Sequence, residues 1–237
     1  MRSAQDQEFS NLCDRVGINE ITDEDEKWFK SRILPTESEN DNEKFKSGAF
    51  SIIVTTNTKR DLINRDKLET LIPNEKTYTC NSVDSVTNLP KNSRLPASFK
   101  NNPGKTANLE TELILKIGAP VVITVNHPKQ KYKDDGFCNG ARGYVQSIQT
   151  SKEDSERVDI VWIVLIKEDA ARQYRFDYNH LRKEHNPGHK SAIPIFPERK
   201  TFRVGNVEYM RQEFPLSLAY AITAHKVCIW KLLFFFF

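Results

Sequence analysis

The sequence is short of the features that mark several large classes of protein. It has 9 glycines and 11 prolines in 237 residues, too few for a collagen-like chain or one dominated by linkers. Its 4 cysteines, at positions 13, 80, 138 and 228, stand far apart. No Cys-x-x-Cys pair exists, which argues against a zinc ribbon or a dithiol redox motif and fits a reducing compartment. No uninterrupted apolar run approaches the roughly 20 residues needed to cross a bilayer. The longest late run, Ile229 to Phe237, is broken by Lys231. The N-terminus, Met-Arg-Ser-Ala-Gln-Asp-Gln-Glu, lacks the apolar stretch of a secretory leader. The expectation is a soluble intracellular protein with no membrane partner.

What is present suffices for a core. Hydrophobic residues make up 38% of the chain, which excludes wholesale disorder, and the length suggests one or two domains. The net charge of +3 is unevenly spread. Residues 1–50 carry 7 Lys/Arg against 12 Asp/Glu, residues 51–150 carry 14 against 9, and residues 151–237 carry 14 against 11. The basic excess therefore lies in the last three quarters, where a polyanion-binding surface would want it.

Residues 7–34 read as two short helices. Phe9, Leu12 and Val16 share a face of the first, which Gly17 ends. Thr22 opens the second, with Asp25 three residues on as an approximate capping box, then Trp28, Phe29 and Ile33 on its apolar side and Pro35 as its stop. Residues 36–48 are polar, acidic and loop-like. The run Phe50-Ser-Ile-Ile-Val-Thr55 reads as a buried strand. It leads into a helix capped by Asn57 or Thr58, with a stripe of Leu62, Ile63, Leu68 and Leu71. A strand feeding a helix is half of a βαβ unit, so this part is α/β. Residues 80–109 predict a long exposed loop with one short strand at most. From Glu112, short strands follow at 113–115, 121–125, 143–145, 158–166, 174–176, 192–195 and 201–204, a spacing that suits a small barrel or sandwich. Leu216 to Lys226 has Ala, Leu and Ile at helical spacing after Pro215 and predicts a helix.

Four segments could carry chemistry. Gly104-Lys105-Thr106 imitates the end of a phosphate-binding loop, but that loop needs a second glycine where Phe99 stands, and a buried strand before it. His180, His185 and His189 lie close together, yet Asn186 and Pro187 interrupt the helix that a paired-histidine metal site requires, so solvated loop histidines are expected and no metal. Lys129-Gln-Lys131-Tyr132-Lys133 alternates cations with an aromatic ring, as a strand-tracking surface would. The same residues also suit a solvated hairpin tip. Just beyond, Gly140 and Gly143 flank Arg142 in a tight turn, whose guanidinium either touches a phosphate or pairs with an acid of its own domain. Finally, the block Phe214 to Lys226 ends in Thr223-Ala-His225-Lys226, polar donors at the edge of a buried element.

Taken in order, Gly118-Ala-Pro-Val-Val-Ile-Thr-Val-Asn126, Phe137-Cys-Asn-Gly-Ala-Arg-Gly143 and Phe214-Pro-Leu to His225-Lys226 resemble the C-terminal part of a Pif-one-type DNA helicase, of the RecD-like branch of superfamily 1. Upstream, Ile53-Val-Thr-Thr-Asn57 with Asn64 and Leu68 resembles that family's strand and helix. The resemblance implies an α/β chain. Residues 1–47 would be a helical segment and acidic loop, and 48–118 with 206–237 part of the second RecA-like domain. Residues 119–205 would be an inserted small β-barrel of the Src-homology-three type. It implies an ATP-dependent helicase that moves 5′ to 3′ on single-stranded DNA with ATP and Mg²⁺, working in the nucleus or the mitochondrion. Asn57 and Lys226 match positions near the nucleotide. Thr223 and His225 match the motif near the DNA strand, beside which Lys129, Lys131, Tyr132, Lys133 and Arg142 are nucleic-acid-binding candidates.

The departures from that pattern matter as much. No phosphate-loop lysine and no Asp-Glu pair for Mg²⁺ are present, and phosphoryl transfer is mostly positioning and charge neutralisation around those groups. Cys228-Ile229 stands where Gln-Gly is expected, so residues 228–237 read as translated non-coding sequence or a frameshift. The chain is thus expected to be a fragment that is inactive alone and needs a first RecA-like domain. The alternative is a non-catalytic module that binds single-stranded nucleic acid.

Overall fold

The computed structural model describes residues 7–30, 51–87, 95–186 and 188–223. Two helices come first, α1 (Gln7–Gly17) and α2 (Asp23–Lys30). Then follow β1 (Ile52–Val54), α3 (Asn57–Leu71), β2 (Tyr78–Asn81), β3 (Val83–Val86), α4 (Ala97–Lys100) and a 3₁₀ turn over Pro103–Lys105. The remainder runs β4 (Glu112–Leu115), β5 (Pro120–Ile123), α5 (Gln130–Asp134), β6 (Arg142–Thr150), β7 (Val158–Leu165), α6 (Arg172–Asp177) and α7 (Asn179–His185). It ends in β8 (Ile193–Ile195), β9 (Glu198–Val204), β10 (Val207–Glu213), β11 (Leu216–Leu218) and β12 (Ala221–Thr223).

The capping box forms at α2. Thr22 Oγ1 accepts from the Asp25 backbone N–H at 3.2 Å, and Asp25 Oδ2 accepts from the Thr22 N–H at 3.0 Å. Arg15 of α1 grips the same carboxylate at 2.5 Å, and its guanidinium, with these hydrogen bonds, holds the Asp25 carboxyl well below the usual range. Leu12 is buried but Val16 is exposed, so the expected apolar face of α1 is used only in part.

The βαβ expectation is met by a distant partner. β1 pairs in parallel with β12, in the register Ile52–Ala221, Ile53–Ile222 and Val54–Thr223. Helix α3 lies against both strands. Its cap is Thr56, whose Oγ1 accepts from the Lys59 N–H at 3.3 Å, and not Asn57 or Thr58. β1 stops at Val54, which leaves Thr56 in the extended conformation a cap needs, φ −124° and ψ 148°. The inner face of α3 is polar where an apolar stripe was expected. Arg60, Asn64 and Lys67 are buried beside Leu68, while Leu62 is exposed. Asn64 explains the reversal. Its Nδ2 donates to the carbonyls of Leu218 (3.3 Å) and Ala221 (3.0 Å), and its Oδ1 accepts from the Ala221 N–H at 2.7 Å. The side chain thus satisfies backbone groups of Leu218 and Ala221 at either side of the β11–β12 junction.

The expected barrel does not close. Strands run β11-β5-β6-β7-β8 in one antiparallel sheet, and no ladder joins β8 to β11 among the described residues. Both edge strands are three residues long, and β9 leaves to pair with β10, which pairs in turn with β3. The described part of the segment expected as a helix, 216–223, is correspondingly β11 and β12, and 224–226 lie outside the described residues. Leu216, Ser217 and Leu218 are all buried against β5, and a fully buried apolar run carries no period that separates strand from helix. Residues 174–176 lie in α6, not a strand. Asp135, from 38 positions away, accepts the Gln173 N–H at 2.6 Å and sets the start of that helix. The described part of the 80–109 stretch holds the end of β2, all of β3, α4 and the 3₁₀ turn instead of one loop.

One core joins these parts. Leu68 of α3, Leu113 and Leu115 of β4, Val121 and Ile123 of β5, Val145 of β6, and Ile163 of β7 belong to a single buried cluster with Leu216 and Tyr220. Each fully buried aliphatic side chain of this kind contributes about 1.5–3 kcal/mol. Arg211 of β10 is fully buried and binds a different layer. It meets Asp84 of β3 through Nε (2.7 Å) and Nη2 (2.9 Å). Its Nη1 lies 3.1 Å from Lys100 O, Thr106 Oγ1, Leu109 O and Thr111 Oγ1. One guanidinium therefore organises the whole 100–111 connection.

Candidate nucleotide and nucleic-acid interface

Parallel strands point their carboxyl ends the same way, and in open α/β sheets ligands bind outside those ends. Here β1 delivers Asn57, at the first turn of α3, and β12 delivers Thr223 to the same edge. Asn57 is half-buried and Thr223 is buried. The fold thus brings together one expected nucleotide residue and one expected DNA residue that are remote in sequence. His225 and Lys226, and the altered stretch 228–237, lie outside the described residues.

The Lys129–Lys133 segment is a short helix, α5, and not a hairpin tip. Tyr132 cannot serve as an open stacking platform, because it is only 2% exposed. Its ring packs edge-on against His127 at 4.6 Å and Tyr174 at 5.0 Å, and its hydroxyl donates to Asp177 Oδ2 at 2.6 Å. Lys131 Nζ meets the same carboxylate at 2.6 Å and lies 4.7 Å from the Tyr132 ring centre. Lys131, Tyr132 and Gln173 together hold the Asp177 carboxyl well below its ordinary range. Lys129 is exposed, with Nζ 5.6 Å from the Tyr132 ring centre, and Lys133 is half-buried. Of the four residues, Lys129 and Lys133 carry no ion pair to a described residue.

Arg142, at the start of β6, turns inward. Its Nη2 donates to Ser51 Oγ at 2.7 Å, and the Ser51 hydroxyl donates to the Ala219 carbonyl. Burial lowers the guanidinium to about 10. The contact ties the five-stranded sheet to the start of β1, which is a positioning role. The glycines around it are dictated by geometry. Gly140 has φ +85°, which L-residues avoid, and a Cβ on Gly143 would meet the Val164 carbonyl oxygen at 2.4 Å.

The Gly104-Lys105-Thr106 segment cannot cradle phosphates. The Thr106 hydroxyl is buried among Asn102 O, Leu109 O and Arg211, and Lys105 Nζ sits 4.7 Å from the Phe99 ring centre. His180 and His185 lie in α7, which ends before Asn186 as expected, and His189 follows it. Among the described residues no three His, Cys, Asp or Glu side chains converge on a metal-sized site. Cys80 is buried near Glu213, and burial pushes its thiol up to about 12. No described helix is long and apolar enough to cross a membrane.

Sequence reasoning missed Ser51 and Arg211. Asn64 it noted only as part of a resemblance. A polar residue on the expected inner face of α3 was the available signal for Asn64. Ser51 and Arg211 had no local signal, since their partners lie far away in the chain.

This arrangement of a parallel strand pair, a packed helix and an inserted antiparallel sheet matches solved structures. A Pif1 helicase from Candida albicans superposes with a TM-score of 0.58 at 20% identity, over 95% of this chain and 45% of that one. The chain has the fold of part of a Pif1 helicase. Bacteroides sp Pif1 in complex with ADP-AlF4 gives a TM-score of 0.52 at 17% identity over 93% of this chain and 40% of that one. Bacteroides Pif1 bound to ssDNA gives the same score, identity and shares. The chain spans less than half the length of these Pif1 helicases. No family model and no curated sequence matches it.

Proposed function

We propose that the chain is the second-lobe part of an ATP-dependent DNA helicase of the Pif1 type. Residues 48–118 and 206–237 form that lobe and 119–205 an insert in it. In this reading the lobe holds single-stranded DNA and closes on nucleotide with a first RecA-like lobe, which carries the phosphate loop and the Mg²⁺ ligands. The two lobes then step 5′ to 3′ in the nucleus or the mitochondrion. The observation that carries the reading is the edge where β1 and β12 end together, with Asn57 and Thr223 on it.

The test is fluorescence anisotropy of the purified chain with single-stranded and duplex oligonucleotides, alongside ATP hydrolysis. The expected result is salt-dependent binding that favours the single strand, with no ATP hydrolysis by the chain alone. Absence of single-strand binding at about 50 mM salt would remove the reading. Oligonucleotide-stimulated ATP hydrolysis by the chain alone would overturn the division between lobes. The second reading, a non-catalytic single-strand-binding module, is favoured by the closed Gly104-Lys105-Thr106 segment. An affinity for oligonucleotide that stays indifferent to ATP after a first lobe is added would select it.

A further inference from the structure

One face of the five-stranded sheet is covered at one end and open at the other. At the covered end Ile160, Trp162 and Ala192 form a buried cluster, against which Val164, Leu181 and Phe196 pack. At the open end Tyr144 of β6 sits directly across from Val164 of β7, and Ile166 follows. Tyr144 is 37% exposed and Ile166 43%. A groove of about 480 Å³ lies over these side chains, with Arg175 and Lys190 among its charged walls and Glu168 as its one carboxylate.

The two cations differ in a useful way. Arg175 is held in place, since its Nη2 donates to the Glu168 backbone carbonyl at 2.7 Å. That acceptor is neutral, and Arg175 makes no ion pair with a described residue. Lys190 is exposed and has no ion pair to a described residue. A second cavity, of about 340 Å³ between α6 and the β8–β9 junction, is richer in aromatic rings but already satisfied. There Arg199 donates to Gln212 at 2.8 Å, Lys200 pairs with Glu198 at 2.9 Å, and Phe137 stacks on Tyr174 at 4.3 Å.

An accessible aromatic ring on an apolar floor, with one anchored and one exposed cation beside it, suits a nucleotide of a single strand. A base offers a π-face to the ring, and its flanking phosphates meet the cations. Resting on the reading that the chain handles single-stranded DNA, we infer that this groove holds one unstacked base against Tyr144, with the adjoining phosphates on Lys190 and Arg175. Stacking on Tyr144 is indifferent to base identity, so the contact grips without reading sequence.

The probe is a fluorescein-labelled oligothymidine of about 16 nucleotides, titrated with the full chain at several salt concentrations. Tyr144→Ala is expected to weaken binding about tenfold, while Tyr144→Phe keeps wild-type affinity. Lys190→Ala is expected to reduce the salt slope by about one. Lys152→Ala, an exposed lysine away from the groove, serves as the control. A photocrosslink from 4-thiothymidine should map to the peptide that contains Tyr144. If Tyr144→Ala melts early, Tyr144→Leu keeps the apolar packing while removing the ring, and the same loss of affinity is expected. If the wild-type chain binds no oligonucleotide, the functional reading and this inference fall together. If it binds, yet the folded Tyr144 and Lys190 variants bind like wild type or the crosslink maps elsewhere, this inference alone falls.

Discussion

Replacing Arg211 with methionine tests what holds the 100–111 connection in place. The side chain is fully buried, and its charge is balanced by Asp84 through two hydrogen bonds of 2.7 and 2.9 Å. Nη1 has only two protons for the four oxygens that lie 3.1 Å away. Those bonds are therefore shared, and their strengths do not add as four separate ones. The dominant effect of Arg211→Met is the stranded Asp84 carboxylate, because the Leu109 and Lys100 carbonyls still accept from the Thr106 and Thr111 hydroxyls. Breaking a buried pair from one side destabilises by about 3–5 kcal/mol. Methionine fills similar space, so a cavity adds little. Urea denaturation followed by circular dichroism measures the loss. The double variant Arg211→Met with Asp84→Leu should recover most of it, because no unpaired charge remains. A single variant that loses under about 1 kcal/mol, or a double variant no better than the single, would refute the assignment of Arg211 as the organiser of this layer.

Three further outcomes follow from particular contacts. Gly143→Ala puts a methyl group 2.4 Å from the Val164 carbonyl oxygen, so the β6–β7 ladder must part locally, and a loss of about 3 kcal/mol is expected in thermal or urea melts. A neutral result would show that the ladder yields freely. Asn64→Asp replaces a donor with an acceptor facing the Leu218 and Ala221 carbonyls, and should destabilise more than Asn64→Ala, which loses about 1–3 kcal/mol; the reverse order would contradict the described amide orientation. Burial pushes the Glu213 carboxyl up from 4.5 to about 7, against the Phe214 N–H and Arg211, which favour its charge, and with Glu110 adding to the rise. The native state then keeps a proton that the unfolded chain releases, so Glu213 makes stability fall as pH rises from 4.5 to about 7 and adds no slope above that. Glu213→Gln should remove that slope and leave the variant more stable at pH 8, by up to about 3 kcal/mol. Equal pH dependence in the two proteins would exclude this buried carboxyl as its source.

The parts of the fold that are local in origin were legible in the sequence. The Thr22–Asp25 box, the strand at Ile52–Val54, the helix behind it and the strands at 113–115, 121–123 and 158–165 are each marked by their own residues, even where their pairing partners are remote. What could not be read depended on distant partners. Asp135 starts α6 from outside it, Asn64 bonds to the backbone of Leu218 and Ala221 more than 150 residues on, and Arg211 gathers oxygens from a connection about a hundred residues earlier. The same holds for the candidate site. Its motifs mark Asn57 and Thr223 separately, and only the β1–β12 register puts them on one edge. The alternating charges of Lys129–Lys133 promised a face for bases, but Asp177 and Tyr174 had already claimed Lys131 and Tyr132.

The closure of β1 onto β12 also bears on how the chain is made. Ser51 bonds to Ala219 across 168 positions, so the Ile52–Val54 strand leaves the ribosome long before anything can pair with it. At synthesis rates of about 5–20 residues per second, it waits roughly ten to thirty seconds with its apolar edge uncovered. The antiparallel sheet that folds in the meantime draws the two ends toward each other and shortens the distance left to search. Nascent chains stalled before residue 221 should therefore be the forms that most need a chaperone.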